Sequence, residues 1–80
     1  MEPLIGIVIL NWNGTADTLE CLGSITKIVD ANYRIYIIDN GSSRSCKQEV
    51  LSAYPAVNVI ELPINRGFAG GVNVGIKAAL

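Results

Sequence analysis

Apolar and polar residues fall into blocks along the chain, and these blocks predict three strands. IGIVIL (Ile5–Leu10) is continuously apolar and β-branched, a pattern typical of a strand buried on both faces of a parallel sheet. YRIYIIDN (Tyr33–Asn40) and VNVIEL (Val57–Leu62) predict the second and third strands.

Apolar residues between and after these strands recur at helical spacing. The first predicted helix starts at about Thr15, its predicted N-cap, and carries the stripe Leu19, Leu22, Ile25 and Val29. The second is capped by Ser42 or Ser43, ends before Pro55, and carries the stripe Cys46, Val50 and Tyr54. The third begins near Gly70 and runs through Val72, Ile76 and Ala79.

Strands that alternate with helices predict parallel pairing through right-handed crossovers. We therefore expect an α/β fold with three α/β/α layers and a parallel sheet in the order 3-2-1. Residues 1–80 would form one small domain at most. The last predicted helix has no following strand to pack beside, so we expect this single domain to be partial.

Composition excludes several classes of protein. Half of the residues are hydrophobic and 16% are charged, which is typical of a globular chain, and the net charge of −1 without a basic run argues against nucleic-acid binding. The longest apolar run, Leu4–Leu10, is too short for a membrane helix and lacks the basic flank of a secretory signal. With no histidine there is no Ser/His/Asp triad.

The two cysteines, Cys21 and Cys46, lack the CxxC spacing of a zinc site and are interpreted as reduced, space-filling thiols. Alternatively, the position of Cys46 near a helix N-terminus could lower its pKa.

The candidate ligand-binding residues cluster in the loops after the three strands. In an open parallel sheet, ligands bind beyond the carboxyl ends of the strands. We call these loops the crest. It comprises Asn11, Trp12 and Asn13 after the first strand, Asp39 and Asn40 after the second, and the stretch 65–73 after the third.

The crest residues suit a nucleotide. Trp12 offers a flat face for stacking a base, and Asp39 and Asn40 offer acceptors to the edge of a pyrimidine. Gly70 and Gly71 allow close approach of the backbone at a helix start, where amides favour phosphate, and Arg66 can pair with the same group.

Each of these residues also has a structural interpretation. Trp12 can cap the core, Asp39–Asn40–Gly41 can be a simple turn, and Arg66 can be a solvated surface charge. Gly70 and Gly71 can serve only helix–strand packing, and Asn11, Asn13, Asn65 and Asn73 can cap loops.

The sequence lacks the common motifs for binding dinucleotides and nucleoside triphosphates. NWNG follows the first strand where G-x-G-x-x-G would be needed, and no P-loop lysine motif occurs. The residues fit better a nucleotide site in which the base lies across the ends of the first two strands.

The segments IVILNWNG, IIDNGSS and NRGFAGGVNVG, in this order and spacing, resemble the N-terminal part of family 2 glycosyltransferases of the GT-A fold, and most of all the bacterial rhamnosyltransferase-like subgroup. The resemblance covers the whole chain. It implies a Rossmann-like nucleotide-binding half, a nucleotide-diphosphate-sugar donor (UDP- or TDP-sugar, including TDP-rhamnose) and inversion at the anomeric carbon.

The resemblance also assigns roles. Trp12 matches the aromatic residue near the base, Asp39–Asn40 matches the Asp-Asp or Asp-Asn pair whose second member reads the pyrimidine, and Gly70, Gly71 and Asn73 match a GG-x-N segment. Val72 stands where relatives often carry arginine or asparagine.

The chain departs from the family in lacking the metal-binding D-x-D motif, which the resemblance places beyond Leu80 together with the catalytic base and the acceptor half. We therefore expect no catalytic or metal-binding residue and no transfer by this chain alone. Mg or Mn is expected only in a full-length relative.

Two other hypotheses compete with the hypothesis that the chain is a fragment of a transferase. An assembly module would form homo-oligomers through the unpaired edge of the first strand or through exposed apolar surface. A nucleotide-sensing receiver would need an acidic cluster after the first strand, which is absent. Relatives that build cell-surface polysaccharide imply a cytoplasmic location, or a peripheral one at the inner face of the membrane.

Overall fold

The computed structural model describes residues 5–28 and 32–80. The elements follow one another as β1 (Ile5–Asn11), α1 (Thr15–Ile28), β2 (Tyr33–Asn40), α2 (Lys47–Ala53), β3 (Asn58–Leu62) and α3 (Gly67–Ala79). The predicted alternation of strands and helices is confirmed, with β3 beginning one residue later than predicted. Val29, the last member of the predicted α1 stripe, lies outside the described residues.

The three strands form one parallel sheet in which β2 lies between β1 and β3. This is the predicted order. Asn11 pairs with Asp39 at the end of β1, and Asn40 pairs with Leu62 at the end of β3. The carboxyl ends of all three strands are therefore level, and the loops that follow them start from a common rim.

Helices cover both faces of the sheet, as predicted. On one face, Ile35 and Ile37 of β2 pack with Leu22 of α1 and with Cys46 and Val50 beside and within α2. On the other face, α3 contacts β1 and β2. Because side chains alternate along a strand, Ile38 points toward α3, next to Gly75. β2 is thus buried on both sides, which explains its nearly continuous apolar sequence.

The glycines of α3 let the helix backbone lie directly on the strands. A β-carbon on Gly71 would overlap Leu10, and one on Gly75 would overlap Val8. Both glycines are buried, and they are four residues apart on the same face of the helix.

The structure corrects the predicted helix starts. α3 begins at Gly67, three residues before the predicted start, because the Asn65 side chain accepts the Gly67 amide and turns the chain early. Neither Ser42 nor Ser43 caps α2; the helix begins at Lys47, whose amide is 3.1 Å from the Ser45 hydroxyl. Thr15 lies inside α1, and the first helical bond runs from the Thr18 amide to the Gly14 carbonyl.

Replacing Gly75 with alanine tests the close packing of α3. Alanine favours a helix interior by about 1 kcal/mol, but the added methyl group would overlap Val8, and overpacking costs about 1–3 kcal/mol. We expect Gly75→Ala to lower the free energy of unfolding measured with urea. Gly23→Ala in α1 is the matched control, because its β-carbon meets only the Tyr54 hydroxyl, at 3.3 Å, and should leave stability unchanged or raised. Equal stability changes in the two variants would contradict the packing argument.

Candidate functional site

The Asp39 side chain ties the end of β2 to the loop that leads into α2. One carboxylate oxygen accepts the Ser42 amide at 3.1 Å, and the other accepts the Cys46 amide at 2.8 Å. The carboxylate is only 2% exposed. It therefore orders residues 42–46 from beneath.

Asn11 extends this network to β1 and α1. Its side-chain amide donates to Asp39 at 3.3 Å, while its oxygen accepts the Thr18 hydroxyl at 2.6 Å. Asn11 and Thr18 are both buried. Three elements are thus joined below the crest by polar side chains that satisfy one another, which is the condition for burying them.

The network sets the protonation states of its two titratable groups. Burial alone would raise the pKa of Asp39, but hydrogen bonds from Ser42 and from the amide and thiol of Cys46 outweigh burial and hold it below its ordinary value. Burial, with the hydrogen bond to Asp39 and its negative charge, raises the pKa of the Cys46 thiol to about 12. Cys46 is thus a neutral thiol at pH 7, contrary to the alternative of a lowered pKa.

The Asn40 side chain makes the corresponding contacts on the opposite face of the sheet. Its oxygen accepts the Arg66 amide at 2.9 Å. Its nitrogen donates to the Gly67 carbonyl at 3.0 Å and to the Asn65 side chain at 3.2 Å. Asn40 is also 2% exposed, so it holds the loop after β3 from below.

Gly41 allows the loops after β2 and β3 to touch. It has a φ of +73°, and a β-carbon there would overlap the backbone of Ile64 and Asn65. A side chain at position 41 would therefore be opposed by both strain and overlap. This contact confirms that two of the three loops meet.

The loops after β1 and β2 meet through Asn13. Its amide donates to the Ser42 hydroxyl and its side-chain oxygen accepts the Ser43 amide, both at 2.9 Å. Asn13 has a φ of +51°, a conformation that asparagine tolerates better than most residues. Trp12, next to it, is 58% exposed and so does not cap the core.

The remaining predicted site residues lie on or after the loop that follows β3. Arg66 is exposed, and the position of a β-carbon on Gly70 lies 2.8 Å from the Arg66 β-carbon. Gly71 faces Leu10 and Asn40. Asn73 is exposed and lies two residues from both Gly71 and Gly75, which places it on the face of α3 away from the sheet. The structure thus separates Asn73 from the hydrogen-bonded crest residues.

Sequence reasoning missed the bond of Thr18 and the roles of Ser42 and Cys46 as hydrogen-bonding partners of the site residues. It named Asn65 as a loop-capping residue but did not predict its bond to Asn40. Asn65 had a readable signal, since asparagine two residues before a glycine favours a local turn. Thr18 had none, because a threonine within a helix does not indicate a buried bond to a preceding strand.

A family comparison supports the sequence resemblance. The model of the family described as Glycosyl transferase family 2 matches residues 6–80. The chain belongs to glycosyltransferase family 2. No curated protein shows significant similarity to it. No helix within residues 5–28 and 32–80 has the length and apolar character needed to cross a membrane.

The crest of this family 2 chain does not fit a metal ion. Among the described residues, no three or more His, Cys, Asp or Glu side chains cluster closely enough to bind one. The buried carboxylate of Asp39 is already occupied by the Ser42 and Cys46 amides. The described residues therefore supply no set of ligands for a metal ion.

A surface depression of about 650 Å³ lies along α2 and reaches Arg44 and Ser45 of the loop after β2. Its charges are paired with one another: Arg44 lies 3.0 Å from Glu49, and Lys47 lies 3.8 Å from Glu61. The groove is open and uses none of the predicted site residues, so the crest remains the better candidate site.

Replacing Asp39 with asparagine tests the network beneath the crest. Because the pKa of Asp39 is lowered in the folded state, its carboxylate stabilises the fold above the unfolded pKa of about 3.9. That stabilisation is lost as the pH falls through the lower folded pKa. We expect Asp39→Asn to cost about 2 kcal/mol at pH 7, the scale of hydrogen bonds to a charged group, and much less near pH 2.

Urea unfolding at both pH values measures this difference. Asp17→Asn is the control, since exposed Asp17 acts only on the helix dipole and should cost less than about 1 kcal/mol. A cost for Asp39→Asn that does not change with pH would show that the carboxylate charge is not what stabilises the loop.

Proposed function

We propose that the crest binds the nucleotide of a nucleotide-diphosphate sugar and that the chain is the donor-binding part of an inverting glycosyltransferase. The observation that carries this proposal is the junction of the three loops. Asn13 joins the first to the second, and Gly41 and Asn40 join the second to the third. Membership of glycosyltransferase family 2 supports a sugar-nucleotide ligand for this rim.

Residues with exposed side chains have the contacting roles in this proposal. Trp12 stacks on the base, and Arg66 pairs with the diphosphate at the start of α3. Buried Asn11, Asp39 and Asn40 form the floor. Gly70 and Gly71 bring α3 onto that floor, and Asn73 contributes only if the donor extends along the outer face of α3.

The finer assignment rests on the Asp39–Asn40 pair. This pair resembles that of the rhamnosyltransferase-like branch, and the resemblance, rather than a contact between Asn40 and the base, implies a UDP- or TDP-sugar, with TDP-rhamnose as a candidate, in cytoplasmic or peripheral synthesis of cell-surface polysaccharide. No residue of this chain is proposed to be catalytic. In a full-length relative, Mg or Mn would stabilise the departing diphosphate as a Lewis acid.

Paired variants distinguish the base contact from the phosphate contact. We expect UDP or TDP to bind weakly, and Trp12→Ala to weaken both UDP and uridine, since a stacked base contributes about 1–3 kcal/mol. Arg66→Gln should weaken UDP but not uridine. Lys77→Gln, which removes the same charge from the last turn of α3, is the matched control.

NMR titration of folded protein measures these affinities. No shift at millimolar UDP or TDP would refute nucleotide binding by this chain. Equal losses from Arg66→Gln and Lys77→Gln would refute the phosphate contact while leaving the base contact standing.

A second candidate function is homo-oligomeric assembly through β1. Within the described residues, β1 pairs only with β2, so its outer edge can accept another strand. Ile5 on β1 and Ile76 on α3 are each 45% exposed. A second copy of the chain that pairs along this edge would bond to backbone N–H and C=O groups that otherwise bond to water.

Light scattering over a wide concentration range tests the assembly. We expect the mean mass to rise toward that of a dimer or larger oligomer. A constant monomer mass at the highest concentration would refute it, and would leave the nucleotide proposal unaffected.

A further inference from the structure

We infer that Asn40 is a positioning residue: its side-chain amide fixes residues 65–67 over the end of β2 and does not itself read a base. The consequence for ligand binding rests on the proposed function, whereas the effect on the loop does not. The inference changes the role that the sequence resemblance assigns to this position.

The hydrogen bonds of Asn40 leave no donor for a ligand. A side-chain amide has two N–H donors, and those of Asn40 go to the Gly67 carbonyl and the Asn65 side chain. Its oxygen accepts the Arg66 amide. A pyrimidine carbonyl would have to displace one of these bonds.

The residues around Asn40 also prevent a ligand from reaching its side chain. Position 71 carries no side chain, so α3 packs over the amide, and a β-carbon there would lie 3.0 Å from the Asn40 nitrogen. Asn40 is 2% exposed, while Asn65, Arg66 and Gly67 above it are all exposed. A ligand on the rim therefore meets the loop before it meets Asn40.

We call the hydrogen bonds of the Asn40 side chain to residues 65–67 the clamp. The clamp requires a donor and an acceptor on one short side chain. Asparagine supplies both. A carboxylate in its place could still accept the Arg66 amide, but it would oppose the Gly67 carbonyl and the Asn65 oxygen. A protonated carboxyl would restore one donor. Among the described residues, the charged residue next to Asn40 is Arg66, which bonds to it through its backbone amide, and Asp39 points to the other face.

Asn40→Asp therefore gives a pH-dependent test. Hydrogen-exchange protection of the Arg66 and Gly67 amides, corrected for intrinsic rates and compared with the unchanged 80-residue chain at the same pH, measures the clamp. We expect at least about a tenfold loss of protection at pH 7, since the Gly67 and Asn65 oxygens lose their donor and face a carboxylate, and partial recovery at pH 4.5.

Asn58→Asp is the matched control. Asn58 also donates to a backbone carbonyl, that of Ile35 at 3.3 Å, but it lies at the other end of β3. It should leave protection at Arg66 and Gly67 unchanged. A uniform loss of protection over the whole sheet in Asn40→Asp would mean general destabilisation and would count against a local clamp.

Asn65→Ala tests the same clamp from the loop side, at an exposed position where folding is less at risk. It removes the acceptor for the Asn40 nitrogen and for the Gly67 amide. The Gly67 amide loses its own acceptor in this variant, so the Arg66 amide, which Asn40 holds, is the informative one. We expect Arg66 to lose protection while β2 keeps it. Unchanged protection in both Asn40→Asp and Asn65→Ala would overturn the inference.

UDP titration of the same variants separates the inference from the proposed function. Affinity for UDP that falls at pH 7 and recovers with loop protection at pH 4.5 supports positioning. Affinity that falls while the loop stays protected would show a direct contact by Asn40 and overturn the inference. If the unchanged chain binds no UDP but Asn40→Asp loosens the loop, the proposed function fails and the clamp stands.

Discussion

Successive side chains of a strand point to opposite faces of the sheet, and the last two residues of β2 depend on this alternation. Asp39 turns toward α1 and α2, where it holds the loop before α2. Asn40 turns toward α3, where it holds the loop after β3. Because β2 lies between the other two strands, two neighbouring residues order loops on both sides of the rim. These hydrogen bonds therefore join the loops of the crest although many of their residues are exposed.

The glycines of α3 serve the same arrangement. Gly71 and Gly75 bring α3 onto β1 and β2, and Gly71 also lets the helix close over Asn40. Gly67, with a φ of +73°, starts the helix just after the turn that Asn65 makes. One stretch of sequence thus sets both the packing of the helix and the shape of the loop, so the glycines would be needed even if none contacted a ligand.

The sequence predicted the strands, their parallel order and the rim, because long apolar runs and the alternation of strands with helices depend on burial alone. It placed the start of α3 three residues late, since side-chain bonds from Asn40 and Asn65 decide that boundary. It also treated Asp39 and Asn40 as one pair facing a ligand. Motif spacing does not show that both are buried, nor that backbone amides 3–26 residues away donate to their oxygens while the Asn40 nitrogen donates to the Gly67 carbonyl.

Intermolecular NMR contacts with bound UDP test the central claim most directly, because Trp12 is the single tryptophan of the chain. The account predicts contacts from the uracil ring protons to the Trp12 indole, with the Asn40 side-chain amide still bonded to the loop. Uracil contacts to the groove along α2, or to the Asn40 amide in place of Trp12, would contradict it.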